Sequence, residues 1–71
     1  MERTGFTVAV KHKNESVKLC GFYDTRGEAF INAASLRQGW KQSMSRITMP
    51  TSIRVREVTE QQWADNNGIE L

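Results

Sequence analysis

Phe6-Thr7-Val8-Ala9-Val10-Lys11-His12 and Ser16-Val17-Lys18-Leu19-Cys20-Gly21-Phe22-Tyr23 are the stretches that decide the fold. In the first, Phe6, Val8 and Val10 alternate with Thr7, Ala9 and Lys11, the period of a strand with one buried face. Asn14-Glu15 between them reads as a hairpin loop, without the Gly that the tightest turns favour. Folding about that loop pairs Val10 with Leu19, Val8 with Gly21 and Phe6 with Tyr23. On the other face Lys11 meets Lys18, Ala9 meets Cys20 and Thr7 meets Phe22. One face is then consistently apolar, which selects this register over a one-residue slip.

Downstream, Thr25-Arg26-Gly27-Glu28 fits a capping box, with Thr25 as N-cap and Glu28 reaching back. The helix it opens is expected to run to about Trp40 or Met44. Ala29, Ala33, Leu36, Trp40 and Met44 fall on one stripe, flanked by Phe30. Gly39 weakens the last turn. Lys41 to Pro50 reads as a polar connection in which Ile47 and Met49 offer anchors. Thr51 to Val58 is a third strand, with Ile53 and Val55 pointing one way and Ser52, Arg54 and Arg56 the other. Thr59 to Gln62 is a second capping box, opening a short helix through about Asn66, with Gly68 at its C′ position. Trp63 and Ala64 can dock on the core, helped by Ile69 and Leu71.

The order is β-β-α-β-α, an α+β fold. A right-handed crossover brings the third strand beside the first. The sheet is then antiparallel in the order 2-1-3, with the long helix on one face; the alternative puts the third strand beside the second.

The chain has 71 residues, enough for a single domain spanning residues 1–71. Its 38% hydrophobic and 25% charged residues are those of a globular chain, not a disordered one. Ordering costs roughly 1.5 kcal/mol per residue, which apolar burial in so small a core only about offsets. A deep catalytic cleft is hard to carve from such a core, so a binding protein is expected in preference to an enzyme. The single Cys excludes an intrachain disulfide framework. No apolar run approaches the ~20 residues of a membrane span. Met1-Glu2-Arg3-Thr4 leads into a strand and not into the apolar region of a signal peptide, so a cytoplasmic location is expected.

Catalytic and metal chemistry find little support. His12 and Cys20 are the strongest candidate ligands or nucleophile pair, but a structural zinc site needs four ligands and the hairpin register puts these two on opposite faces. The carboxylates of Glu15, Asp24, Glu28, Glu57, Glu60 and Asp65 are scattered, and nothing makes two of them converge. The glycines match no phosphate-loop spacing. No catalytic residue, metal or cofactor is expected.

The basic residues are more informative, because the strand periods sort them. With the apolar set facing the helix, Lys11, Lys18, Arg54 and Arg56 share the open sheet face with Phe22 and Cys20. Lys11 opposite Lys18 is a like-charge pair, unfavourable unless an anionic partner neutralises it. A basic sheet face carrying an aromatic can hold single-stranded nucleic acid, or dock on an acidic protein surface. A plain solvated face, charged to discourage aggregation, has the same composition. Ile31, away from the helix stripe and near Ala34, marks a second surface for a partner or a second copy.

The hairpin, the helix opening Gly27-Glu28-Ala29-Phe30-Ile31-Asn32-Ala33-Ala34 and the short basic strand together resemble small phage-encoded accessory proteins, among them some anti-CRISPR proteins. The likeness is one of layout across nearly the whole chain and carries over no functional residue. It implies a non-enzymatic inhibitor in the host cytoplasm, binding a host protein or nucleoprotein complex that handles nucleic acid. Many such inhibitors are acidic mimics of DNA, a mode closed to a chain of net charge +2. Direct nucleic-acid binding through Lys11, Lys18, Phe22, Arg54 and Arg56 is the alternative. A monomer or weak homodimer is expected.

Overall fold

The computed structural model describes residues 2–42 and 50–71. β1 spans Thr4–Lys11, β2 Lys18–Tyr23, α1 Arg26–Gln42, β3 Ser52–Thr59 and α2 Glu60–Asn67. The three strands form one antiparallel sheet in the order β2-β1-β3, as the crossover argument expects. Met44, Ile47 and Met49, which the helix stripe and the connection invoke, lie outside the described residues. Among the described residues no helix is long and apolar enough to cross a membrane.

α1 lays its stripe on one sheet face. Ala29 and Ala33 are buried there with Val8 and Val10, and Leu36 and Trp40 pack on the same cluster with Phe6, Ile53 and Val55. Thr25 caps the helix, its hydroxyl accepting the Glu28 N–H at 3.2 Å, but among the described residues the Glu28 side chain does not return a bond to Thr25, so the expected box is only half formed.

The hairpin register departs from expectation. Phe6 does face Tyr23, but beyond it Val8 pairs with Cys20, Ala9 with Leu19 and Val10 with Lys18. β2 carries one extra residue opposite Thr7, a β-bulge. Gly21 sits in it at φ 76°, a left-handed conformation that Gly enters without steric penalty. The bulge carbonyl is not left unpaired, because the fully buried Thr7 donates its hydroxyl to it at 2.5 Å. Past the bulge, Lys18 and Cys20 therefore turn to the α1 face, and Leu19 to the opposite one. Cys20 joins the α1 cluster, and Lys18 no longer faces Lys11. The period-2 reading missed this because it assumes an unbroken pleat.

That opposite face is not open. α2 covers part of it, with Trp63 packed on Ala9, Leu19 and Val58 alongside Val17 and Phe22. β1 is thus buried on both faces, and Ala9 is only 6% exposed. α2 begins with the full Thr59/Gln62 capping box and ends at Gly68, φ 67°, as its sequence signals. Ile69 and Leu71 take no part in the core and are exposed. They follow the turn that Gly68 makes, which carries the chain off the sheet.

Gly21→Ala is expected to cost about 2 kcal/mol, since a left-handed φ penalises any side chain by about 1–2 kcal/mol and the new methyl would collide with the Tyr23 ring. Urea unfolding measures it; an unchanged midpoint would show that β2 runs without the bulge.

Candidate interaction surface

β3 is an edge strand, and its alternation sets Ile53, Val55 and Glu57 towards the α1 side. Arg54 and Arg56 stand on the other side, above their partners Ala9 and Thr7 of β1. Both arginines are exposed. Among the described residues neither forms an ion pair; those present join Arg3 to Asp24 and to Glu60.

The other expected members of the basic face go elsewhere. Lys11 is half-buried and folds its ammonium onto the hairpin loop, donating to the carbonyls of His12 and Glu15. Lys18 is exposed, but on the face of its partner Val10. Phe22 stays on the expected face and is half-buried, its ring 5.7 Å from that of Trp63 and 5.3 Å from the Arg3 guanidinium. So Arg54 and Arg56 stay together, Phe22 is enclosed beside α2, and the two lysines are separated from them.

Arg3 is a residue that the sequence reading missed. Its guanidinium bridges Asp24 and Glu60 and covers Phe22, closing the end of the α2 face. Hydrogen bonding to Asp24, reinforced by the charges of Asp24 and Glu60, raises its pKa above the ordinary arginine value. These exposed pairs add little stability; their effect is to hold Arg3 over the ring. The Trp63 indole N–H is buried with no acceptor among the described residues, a donor left unsatisfied at the centre of this packing.

His12 and Cys20 do not combine either. The His12 ring meets Trp40 edge-on at 5.9 Å, while Cys20 packs in the α1 cluster. Among the described residues no three His, Cys, Asp or Glu side chains are grouped to hold a metal ion. On α1, Ile31 is 70% exposed, and Phe30, expected beside the buried stripe, is 52% exposed next to it.

The two sheet edges are treated differently. Along β2 the side chain of Asn66 imitates a neighbouring strand. Its Oδ1 accepts the Leu19 N–H at 2.7 Å and its Nδ2 donates to the Val17 carbonyl at 2.8 Å. Asn67 Nδ2 donates to the Leu19 carbonyl, also at 2.8 Å. An unpaired edge invites other strands, and α2 closes this one at Val17–Leu19. No local pattern announces these contacts, which span 47 to 49 residues of sequence.

On β3 the Glu60 N–H bonds the Arg3 carbonyl across the ladder at 2.7 Å. Bonded pairs alternate in an antiparallel ladder, so residues 58, 56, 54 and 52 also turn their peptide groups to β1. Residues 53, 55, 57 and 59 turn theirs outward. Two of these are closed by side chains: Arg37 donates to the Ile53 carbonyl at 2.6 Å, and Gln62 Oε1 accepts the Thr59 N–H at 2.9 Å. Between them, no described residue bonds the outward groups of Val55 and Glu57.

Comparison with protein-family models, with curated proteins and with solved structures finds no match.

Asn66→Ala removes two bonds to β2 and is expected to cost about 1 kcal/mol. Exchange of the Leu19 amide should quicken with it; an unchanged rate would show that Asn66 does not protect this edge.

Proposed function

We propose that the chain is a small binding protein that acts without catalysis and engages an acidic protein surface through Arg54 and Arg56 of β3. The observation carrying this reading is the pair of exposed guanidiniums, two residues apart on one strand face and free of ion pairs among the described residues. Like charges at this spacing repel, and an anionic partner relieves the repulsion. The resemblance to phage-encoded inhibitors gives the partner a form: a host complex that handles nucleic acid, bound through its protein surface.

Direct nucleic-acid binding is the second reading. It looks to Phe22 as a stacking platform, and the Phe22 ring is instead half-buried against Trp63 and beneath the Arg3 guanidinium. The enclosure of Phe22 favours a protein partner.

Capture from host lysate with and without nuclease separates the two. A captured protein that survives nuclease and is lost with the double variant Arg54→Glu/Arg56→Glu is the expected result. The double variant should stay within about 0.5 kcal/mol of wild-type stability, since both side chains are exposed. Binding abolished by nuclease, or falling with log salt at about −0.7 per phosphate on single strands, would instead mark a nucleic-acid binder. Binding that survives the double variant but fails with Ile31→Asp would place the working surface on α1.

A further inference from the structure

We propose that the edge of β3 at Val55–Glu57 is a docking slot for an extended acidic segment of the partner, which adds to the sheet as a fourth strand. The proposal rests on the reading of Arg54 and Arg56 as recognition groups and adds how the partner is held. Three observations carry it. The outward peptide groups of Val55 and Glu57 are unbonded among the described residues, while those at either end are taken by Arg37 and Gln62. The opposite edge of the same sheet is closed at Val17–Leu19 by Asn66 and Asn67. The side chains beside the open slot are Arg54 and Arg56, on one face.

An added strand would receive up to two N–H and two carbonyl bonds at the slot, the means by which strand addition gains affinity. Side chains two apart on it share a face. A segment with carboxylates at i and i+2 therefore sets both opposite the two arginines, each a favourable cross-strand pair. A second copy of this chain fits poorly. Pairing β3 with itself in antiparallel fashion about Val55 puts Arg54 against Arg56 of the other copy, twice. The arginines thus disfavour self-pairing and favour an acidic strand at the same edge.

The test uses the full chain, 15N-labelled, and two blocked peptides of one composition. Acetyl-Thr-Glu-Val-Glu-Thr-amide presents both carboxylates on one face, and acetyl-Thr-Val-Glu-Glu-Thr-amide splits them between faces. The first should bind about two- to fivefold more tightly, the yield of the one further charge pair it aligns. It should also slow exchange of the Val55 and Glu57 amides by about tenfold at saturation. Glu57→Pro removes one outward N–H from an exposed edge position, where proline breaks no ladder bond. It makes the chain more basic, so charge alone predicts tighter binding, whereas strand addition predicts loss. Should this variant fail to fold, the amide protection in the wild-type chain decides.

Equal affinity for the two peptides overturns the proposal, as does binding without amide protection. In both cases docking on the arginine face alone would survive, and the lysate capture tests that separately. Slow exchange of both amides in the free chain at low concentration overturns it too, since the edge would then be covered already. Protection that grows with protein concentration alone would assign the edge to a second copy, and protection by oligothymidylate to nucleic acid. Either result overturns the acidic segment as occupant.

Discussion

One extra residue in β2, held at Gly21 and bonded through its carbonyl to the buried Thr7 hydroxyl, governs the rest of the molecule. It lets Tyr23 and Cys20 both face α1, although an unbroken pleat would send them to opposite sides. It also turns Leu19 to the other face, where it meets Ala9, Val58 and α2. Without that turn α2 would lose Leu19 from its bed. A small domain gains much from a second layer, because one helix on three strands leaves half of the sheet wet.

α2 does more than cover that face. Its last turn places Asn66 and Asn67 along β2, so the helix that buries Trp63 also closes an edge. Arg3 completes the enclosure by lying over Phe22 between Asp24 and Glu60. The consequence for function is a sorting of the basic residues. Lys11 serves the hairpin loop, Lys18 stands on the α1 face, and Arg3 holds an aromatic. Arg54 and Arg56 lie free of such duties beside a stretch of strand edge that no described side chain closes. Charge and unbonded backbone thus meet at one place, the arrangement on which the proposed strand docking rests, since peptide pairing would add direction and register to an attraction that has neither.

Much of the architecture is legible in the sequence by itself. The alternation in Phe6–Lys11, the Ala29–Trp40 stripe and the Thr59/Gln62 box with Gly68 place one strand, two helices and the caps of α2, because each signal is local and its partners lie within a few residues. The sheet order follows as well, since the handedness of the crossover constrains it. Exposure of Arg54 and Arg56 is also readable, as β3 keeps a regular period. Only the tertiary structure decided the rest. The bulge at Gly21 depends on a hydroxyl 14 residues away, and the closed β2 edge on amides 47 to 49 residues away. A strand's period carries no mark of an inserted residue, and a helix's periodicity does not say which sheet face it will cover. Those outcomes rest on contacts between distant parts of the chain, which exist only once the layers have packed.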